Sequence, residues 1–371
     1  MKQITISVSN DLVTDNRVNR TCSVFISRGY QVLLVGRKLK DSLPLPQLNH
    51  QTQRMTLLFN KGICFYLELN LRLFIKLLFT KSSHLYANDL DTLLPNYLIS
   101  KIKRIPLVYD THELFTEVPE LQNHSLKKSM WLTLERFIFP RLKHVITVNE
   151  SIASIYEGKY KVPIHVVRNV PFKLETQINN TPLSDNIKQN VFTVIIQGSG
   201  LNVDRGIEEA ILAMKELENV QLLLVGNGDL IPKAKIMVRE HGLTEKVLFF
   251  DKRPYQELMQ FTLFADCGLA LDKPTNLNYE YALPNKVFDY IQAITPIICG
   301  NLKEIKSLVS KYNIGISLEE TTPRLIAEAI RTLQNDPTQL NLYKENCRKA
   351  AQIEHWENEK VVLERLIKSL S

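Results

Sequence analysis

ITISVSNDLVTDNRVNRTCSVFISRGYQVLLVG, residues 4–36, begins and ends as a strand. ITISVS (4–9) and QVLLVG (31–36) are strand-like runs, and from Val13 to Arg28 the apolar residues fall at helical spacing, followed by Gly29 where a helix would end. Strand, helix and strand make a β-α-β unit, whose crossover makes the two strands parallel. The pattern continues at HLYAN (84–88), PLVYD (106–110), HVITVN (144–149) and IHVVRN (164–169), each separated by enough chain for another crossover helix. Residues 171–190, PFKLETQINNTPLSDNIKQN, lose this periodicity and read as a linker. The alternation then restarts with FTVIIQG (192–198), VQLLLVG (220–226), KVLFF (246–250), CGLAL (267–271), PIIC (296–299) and GISL (315–318). The predicted class is therefore α/β, with two doubly wound parallel-sheet domains. They span 1–170 and 191–352, and a final helix, 353–371, packs back across them. Open sheets of this kind bind ligands at the carboxyl ends of their strands, so a ligand cleft between the two domains is expected.

Composition sets further bounds. Hydrophobic residues make up 44% of the 371 and charged residues 23%, enough apolar material for the whole chain to fold. Five cysteines are scattered singly with no CxxC pair, which argues against a disulfide framework or a zinc site and for a reducing, cytoplasmic setting. The first residues lack the basic, apolar and small-residue order of a signal peptide. The most apolar tract, 63–79, is broken by Glu68, Asn70, Arg72 and Lys76 and falls short of the ~20 apolar residues of a spanning helix. Charge is uneven: residues 1–170 hold 23 Lys and Arg against 13 Asp and Glu, whereas 171–371 hold 23 against 26. The basic residues form no dense run and no nucleic-acid motif, so a nucleic-acid partner is not expected.

Three stretches carry candidate chemistry. QGSGLNVDRG (197–206) joins a strand to a helix; Gly198, Gly200 and Gly206 allow close backbone approach, and Arg205 adds a cation, the parts of a phosphate site. ALPNKVFDYIQA (282–293) starts a helix at Asn285. Lys286 in its first turn opposes the helix dipole and calls for an anion nearby, while Asp289, one turn on, suits the vicinal hydroxyls of a ribose. PLVYDTHEL (106–114) places His112 at a strand's carboxyl end, where a neutral imidazole oriented by Asp110 could meet a sugar hydroxyl. Asp89 and Asp91 resemble a DxD metal pair but precede a helix (90–104), where acids cap the N-terminus; VGNGDL (225–230) reads as a tight turn rather than a dinucleotide fingerprint. No metal site is predicted.

Six blocks in order, SNDLVTDNRVNR with SRGYQVLLVGR, ANDLDTLLPNYL, YDTHELFTEVPEL, GLNVDRGIEEAI, LLLVGNGDL and ALPNKVFDYIQAITPII, resemble the family 4 glycosyltransferases over the full length of the chain. The resemblance implies the GT-B fold, two Rossmann-like domains facing a central cleft, and transfer with retention of anomeric configuration from a nucleoside diphosphate-sugar. That donor, a UDP- or GDP-sugar, would be a substrate rather than a cofactor. The acceptor would be a saccharide or lipid-linked molecule of cell-surface polysaccharide or glycolipid synthesis. By the same resemblance Arg205 binds the donor diphosphate, Asp289 is the second acid of the E-x7-E motif, His112 is the active-site histidine, and Asp15 and Arg17 lie in the first strand–helix loop lining the cleft. The first acid of E-x7-E falls on Tyr281, with Glu280 one residue off as its substitute, and Gly200 stands where the family often has an arginine, a charge assigned instead to Lys286. A nucleotide-sugar 2-epimerase of the same fold and a catalytically silent partner subunit are the rival readings. The basic excess of the N-terminal half has two readings at 65–80. Either this is a buried crossover helix whose Glu68, Arg72, Lys76 and Thr80 form a solvated stripe, or it is a basic-edged amphipathic helix on an anionic membrane at its cytoplasmic face.

Overall fold

The computed structural model describes residues 2–370 except 14, 41, 43, 46, 123, 175–183 and 185. Half of the predicted linker, 171–190, thus lies outside the described residues. The chain divides into two units, Met1–Asn169 with Glu359–Ser371, and Val170–Asn358.

The first unit holds β1 (Gln3–Asp11), β2 (Gln31–Lys38), β3 (Gln51–Thr56), β4 (His84–Asn88), β5 (Leu107–Thr111), β6 (His144–Thr147) and β7 (Ile164–Val166). They form one all-parallel sheet in the order β3-β2-β1-β4-β5-β6-β7. Its helices are α1 (Asn16–Ser27), α2 (Gly62–Phe79), α3 (Leu90–Lys103), α4 (Pro119–Gln122), α5 (Ser125–Ile138) and α6 (Glu150–Tyr160). The central strands are mostly apolar because helices cover both faces: Ile4, Ile6, Leu34, Leu85, Val108 and Ile146 are fully buried. β3, QTQRMT, escapes the apolar pattern because it is the exposed edge, pairing only with β2. α1 starts three residues later than its periodicity implies, because Asp15 caps it by accepting the Val18 N–H at 3.1 Å.

The second unit repeats the plan with β8 (Phe192–Gly198), β9 (Val220–Gly226), β10 (Val247–Phe250), β11 (Cys267–Ala270), β12 (Ile297–Cys299) and β13 (Gly315–Ser317). These are parallel in the order β10-β9-β8-β11-β12-β13. Around them stand α7 (Ile207–Ala213), α8 (Ile231–Glu240), α9 (Tyr255–Phe264), α10 (Leu277–Glu280), α11 (Asn285–Gln292), α12 (Lys303–Tyr312), α13 (Pro323–Asn335) and α14 (Pro337–Ala351). The last helix, α15 (Trp356–Ser369), starts in the second unit, and its residues from Glu359 onward belong to the first. There Glu359 accepts from the Arg168 backbone N–H and guanidinium, and the Leu370 carbonyl sits 3.1 Å from His84 Nε2.

Both sheets reverse direction of growth once, between β1 and β4 and between β8 and β11. Ligands of doubly wound sheets settle at the carboxyl ends of strands flanking such a switch point. In the first unit Arg17 follows β1 and Asp89 ends the turn after β4, with Asp110 and His112 at the end of the neighbouring β5; in the second, Gly198 ends β8 and Asp272 follows β11.

Candidate active site

In the first unit Asp110, near the end of β5, is completely buried and is the hub of a charged cluster. Arg17 grips it bidentately, Nε to Oδ2 at 3.1 Å and Nη2 to Oδ1 at 2.8 Å, and donates from Nη1 to the Val167 carbonyl at 2.7 Å; the Tyr86 hydroxyl donates to Asp110 Oδ2 at 2.7 Å. Burial alone would raise a carboxyl pKa, but Arg17 and then His112 outweigh it and hold Asp110 well below the usual carboxylate range. Arg17 is therefore not a loop residue. It sits in the first turn of α1, 5% exposed and committed to Asp110. Asp15 is the helix cap already described.

His112 follows β5 and is held by two carboxylates. Its backbone N–H donates to Asp89 Oδ1 at 3.0 Å, its Nδ1 lies 3.3 Å from Asp89 Oδ2, and its Nε2 lies 3.5 Å from Asp110 Oδ2. Asp89, expected as a helix cap, makes no capping hydrogen bond. Its φ of 57° turns the chain at the end of β4 so that its carboxylate faces the imidazole. Burial opposes charge on the ring, but Asp89 and Asp110 overcome it and raise the His112 pKa well above the ordinary histidine value. The two carboxylates thus favour the protonated ring, where a neutral imidazole was expected. Asp91, inside the first turn of α3, is buried and its carboxyl is pushed up to about 7 by burial and by Asp89.

These contacts make a prediction for Asp89→Asn. The charge that Asp89 places beside the ring is removed, so the His112 pKa falls and the basic limb of the pH–rate profile moves to lower pH. The stability contributed by the imidazolium is full below the unfolded pKa of ~6.5 and disappears as pH rises through the raised folded value, so in the variant the contribution is smaller and is gone at a lower pH. Histidine NMR titration together with the rate profile checks this; an unchanged basic limb would contradict the assignment.

In the second unit the loop after β8 is pinned from below. Gly198 pairs with Gly226 at φ 151° and 140°, so close that a Cβ on Gly226 would stand 1.8 Å from the Gly198 carbonyl oxygen. The Leu201 N–H donates to the Asn227 carbonyl at 3.0 Å and the Asp229 N–H to Asn202 Oδ1 at 3.2 Å. VGNGDL is accordingly a turn that fixes this loop. Beside Gly200 the space is open, the nearest atom to a Cβ there being Asn202 Nδ2 at 3.8 Å. Arg205 stands between two left-handed residues, Asp204 (φ 66°) and Gly206 (φ 72°), and its guanidinium lies over the Tyr279 ring at 4.3 Å.

Arg205 Nη1 is 2.5 Å from Asp272 Oδ1, and Lys286 Nζ is 2.8 Å from Asp272 Oδ2. Asp272 is buried two residues after β11; burial raises its pKa, but Lys286 and Arg205 more than compensate and keep it ionised. The anion that Lys286 calls for is therefore supplied by the protein itself, and the three groups leave one net positive charge. No side chain caps α11, whose first residue, Asn285, is exposed. Asp289, one turn on, is buried and accepts from Gln197 Nε2 at 3.1 Å and the Tyr255 hydroxyl at 3.0 Å. Glu280 is half-buried at the end of α10, next in sequence to Tyr279.

Arg17, Asp110 and His112 thus converge in one cluster, and Arg205 and Lys286 meet in another around Asp272, while Gly198 is held against Gly226. The reading from sequence missed Tyr86, Gln197, Tyr255, Asp272 and Tyr279, and misassigned Asp89. Asp272 had a signal, a carboxylate placed straight after the apolar run CGLAL (267–271) at its carboxyl end. The aromatic residues had none, since their partners are far away in sequence.

Residues 15–170 match the family described as Glycosyltransferase Family 4 and residues 179–352 the family described as Glycosyl transferases group 1. No curated protein matches the chain in sequence. Among solved structures it is similar to sucrose-phosphate synthase from Thermosynechococcus elongatus, with a TM-score of 0.77 and 15% identity over 100% of this chain and 99% of that one. It is also similar to Anabaena HepE in complex with UDP-glucose (0.74, 16%, 100% and 99%) and to WaaG, a glycosyltransferase involved in lipopolysaccharide biosynthesis (0.71, 15%, 98% of each). At such identities the likeness speaks for the fold. Two parallel doubly wound sheets with charged residues at their switch points, and family matches spanning nearly the whole chain, establish this protein as a glycosyltransferase of the GT-B fold, its halves belonging to Glycosyltransferase Family 4 and Glycosyl transferases group 1.

Proposed function

We propose that the protein is a retaining hexosyltransferase that moves a sugar from a UDP- or GDP-sugar to a saccharide or lipid-linked acceptor of cell-surface polysaccharide or glycolipid assembly. The observation that carries this reading is the cation pair Arg205 and Lys286 around Asp272, beside the uncapped start of α11 and at the switch point of the second sheet. One net positive charge beside a helix start that no side chain caps suits a diphosphate, which needs more counter-charge as it departs than when bound. Asp289, one turn along the same helix, presents a carboxylate that suits the vicinal hydroxyls of a ribose. HepE has been solved with UDP and with UDP-glucose, which supports a nucleotide-sugar donor.

In the step we propose, the acceptor oxygen bonds to the anomeric carbon on the face from which the diphosphate leaves. The bond from that carbon to the phosphate oxygen breaks, and the departing phosphate takes the acceptor proton. Arg205 and Lys286 stabilise the leaving charge without a metal. Transfer from a UDP- or GDP-sugar is expected to persist after EDTA treatment and to keep the donor's anomeric configuration in the product. Loss of turnover restored by Mg²⁺ or Mn²⁺ would overturn the metal-independent mechanism, and an inverted product would overturn retention.

A further inference from the structure

The helix α2 contradicts the expectation of a polar outer stripe. Phe65, Leu69, Leu73 and Leu77 pack inward, whereas Ile63, Leu67, Leu71, Ile75 and Phe79, two residues out of phase and so about 200° round the helix, are 47–80% exposed. The charged pair lies along the edge instead. Arg72 binds Glu68 at 2.7 Å and donates to the Thr56 carbonyl at 3.1 Å, and Glu68 accepts the backbone N–H groups of Leu58 and Phe59 at 2.9 Å each. Those bonds fix Leu58 and Phe59, 80% and 51% exposed, beside the ridge.

The patch is not scattered surface. Of the twenty large apolar side chains exposed among the described residues, thirteen belong to the first unit, and all thirteen lie on residues 58–79, α3 or α5. α2 packs along α3, and Tyr66 of α2 meets Trp131 of α5 edge-on with ring centroids 5.0 Å apart. Exposed apolar surface of this extent marks an interaction site. Its charge selects the partner: residues 58–81, 98–104 and 125–138 hold ten Lys and Arg against two acids. Both acids are neutralised internally, Glu68 by Arg72 and the buried Glu135 by Lys159. A second copy meeting this face across a two-fold axis would set like charges against each other. No helix among the described residues is long and apolar enough to cross a membrane, so the face would lie on one rather than through it.

We propose that α2, with Leu58 and Phe59, is a surface that seats the first unit on an anionic lipid bilayer, the apolar ridge entering the headgroup boundary and the basic residues binding its charge. This deepens the function proposed above by naming where a lipid-linked acceptor is met, and rests on that reading only for its purpose. The test uses the full chain and vesicles of phosphatidylglycerol with phosphatidylcholine, against phosphatidylcholine alone. At low salt the protein is expected to co-sediment about tenfold more with the anionic vesicles, and to be released near about 0.5 M salt. The exposed double variant Leu67→Ser, Leu71→Ser should bind about tenfold more weakly with an unchanged melting temperature. Wild type left in the supernatant, variant binding equal to wild type, or a stable dimer in light scattering that the double variant abolishes would overturn the proposal. Nucleotide-induced stabilisation, measured on the same samples, is independent of the vesicles, so failure of docking and failure of the donor assignment show separately.

Discussion

Arg17→Ala will destabilise the first unit by about 3–5 kcal/mol, because it leaves the fully buried Asp110 carboxylate without its bidentate partner. For a unit of this size the transition should fall by roughly 10 °C. The variant should recover part of that loss when Asp110→Asn is added, since the orphaned charge is then gone; the double-mutant cycle measures the coupling. The effect also has a pH signature. Asp110 has a depressed pKa, so the stability it contributes is present above the unfolded value of ~3.9 and is lost as pH falls toward the folded one. In Arg17→Ala that acid dependence should shrink. A melting temperature within about 2 °C of wild type would show that the pair holds nothing together.

Arg205→Ala carries the second large effect, and it should fall on ligand binding rather than on folding. Asp272 keeps Lys286 as its partner, so the buried carboxylate is not orphaned, but the net charge of the cluster drops from one positive to zero. Loss of a charge-assisted contact to a diphosphate costs ~3 kcal/mol, or about a hundredfold in donor Kd. Calorimetry with UDP and GDP on both proteins checks this. Equal affinities would remove Arg205 from the site.

How far the sequence reveals these arrangements depends on the distance over which each is decided. The two sheets are readable because buried parallel strands are written as continuous apolar runs, as in VQLLLVG, and because crossover helices carry their own period. QTQRMT is not readable in this way, since an edge strand is exposed and its residues need not be apolar. Arg205 and Lys286 stand out as cations where chain geometry favours anions, but what meets them is Asp272, 67 residues from the first, and no local pattern ties the three together. Arg17 was misplaced for the same reason: its partner lies 93 residues away on β5. Asp89 was misread because an acid before a helix has a sufficient local explanation, and only the fold brings its carboxylate to His112. For α2 the periodicity shows two apolar ridges and one charged stripe; which ridge faces the sheet is settled by packing against α3 and α5.

The central claim, that the second unit binds a nucleoside diphosphate through Arg205 and Lys286, is tested most directly by thermal melting of wild type and Arg205→Ala with UDP, GDP and ADP. A bound ligand raises stability by RT ln(1 + [L]/Kd), about 2.7 kcal/mol at a hundredfold excess over Kd. The account predicts a clear upward shift with one of these nucleotides in wild type and its near-complete loss in Arg205→Ala at the same concentration. No shift with any of the three, or an equal shift in both proteins, would contradict it.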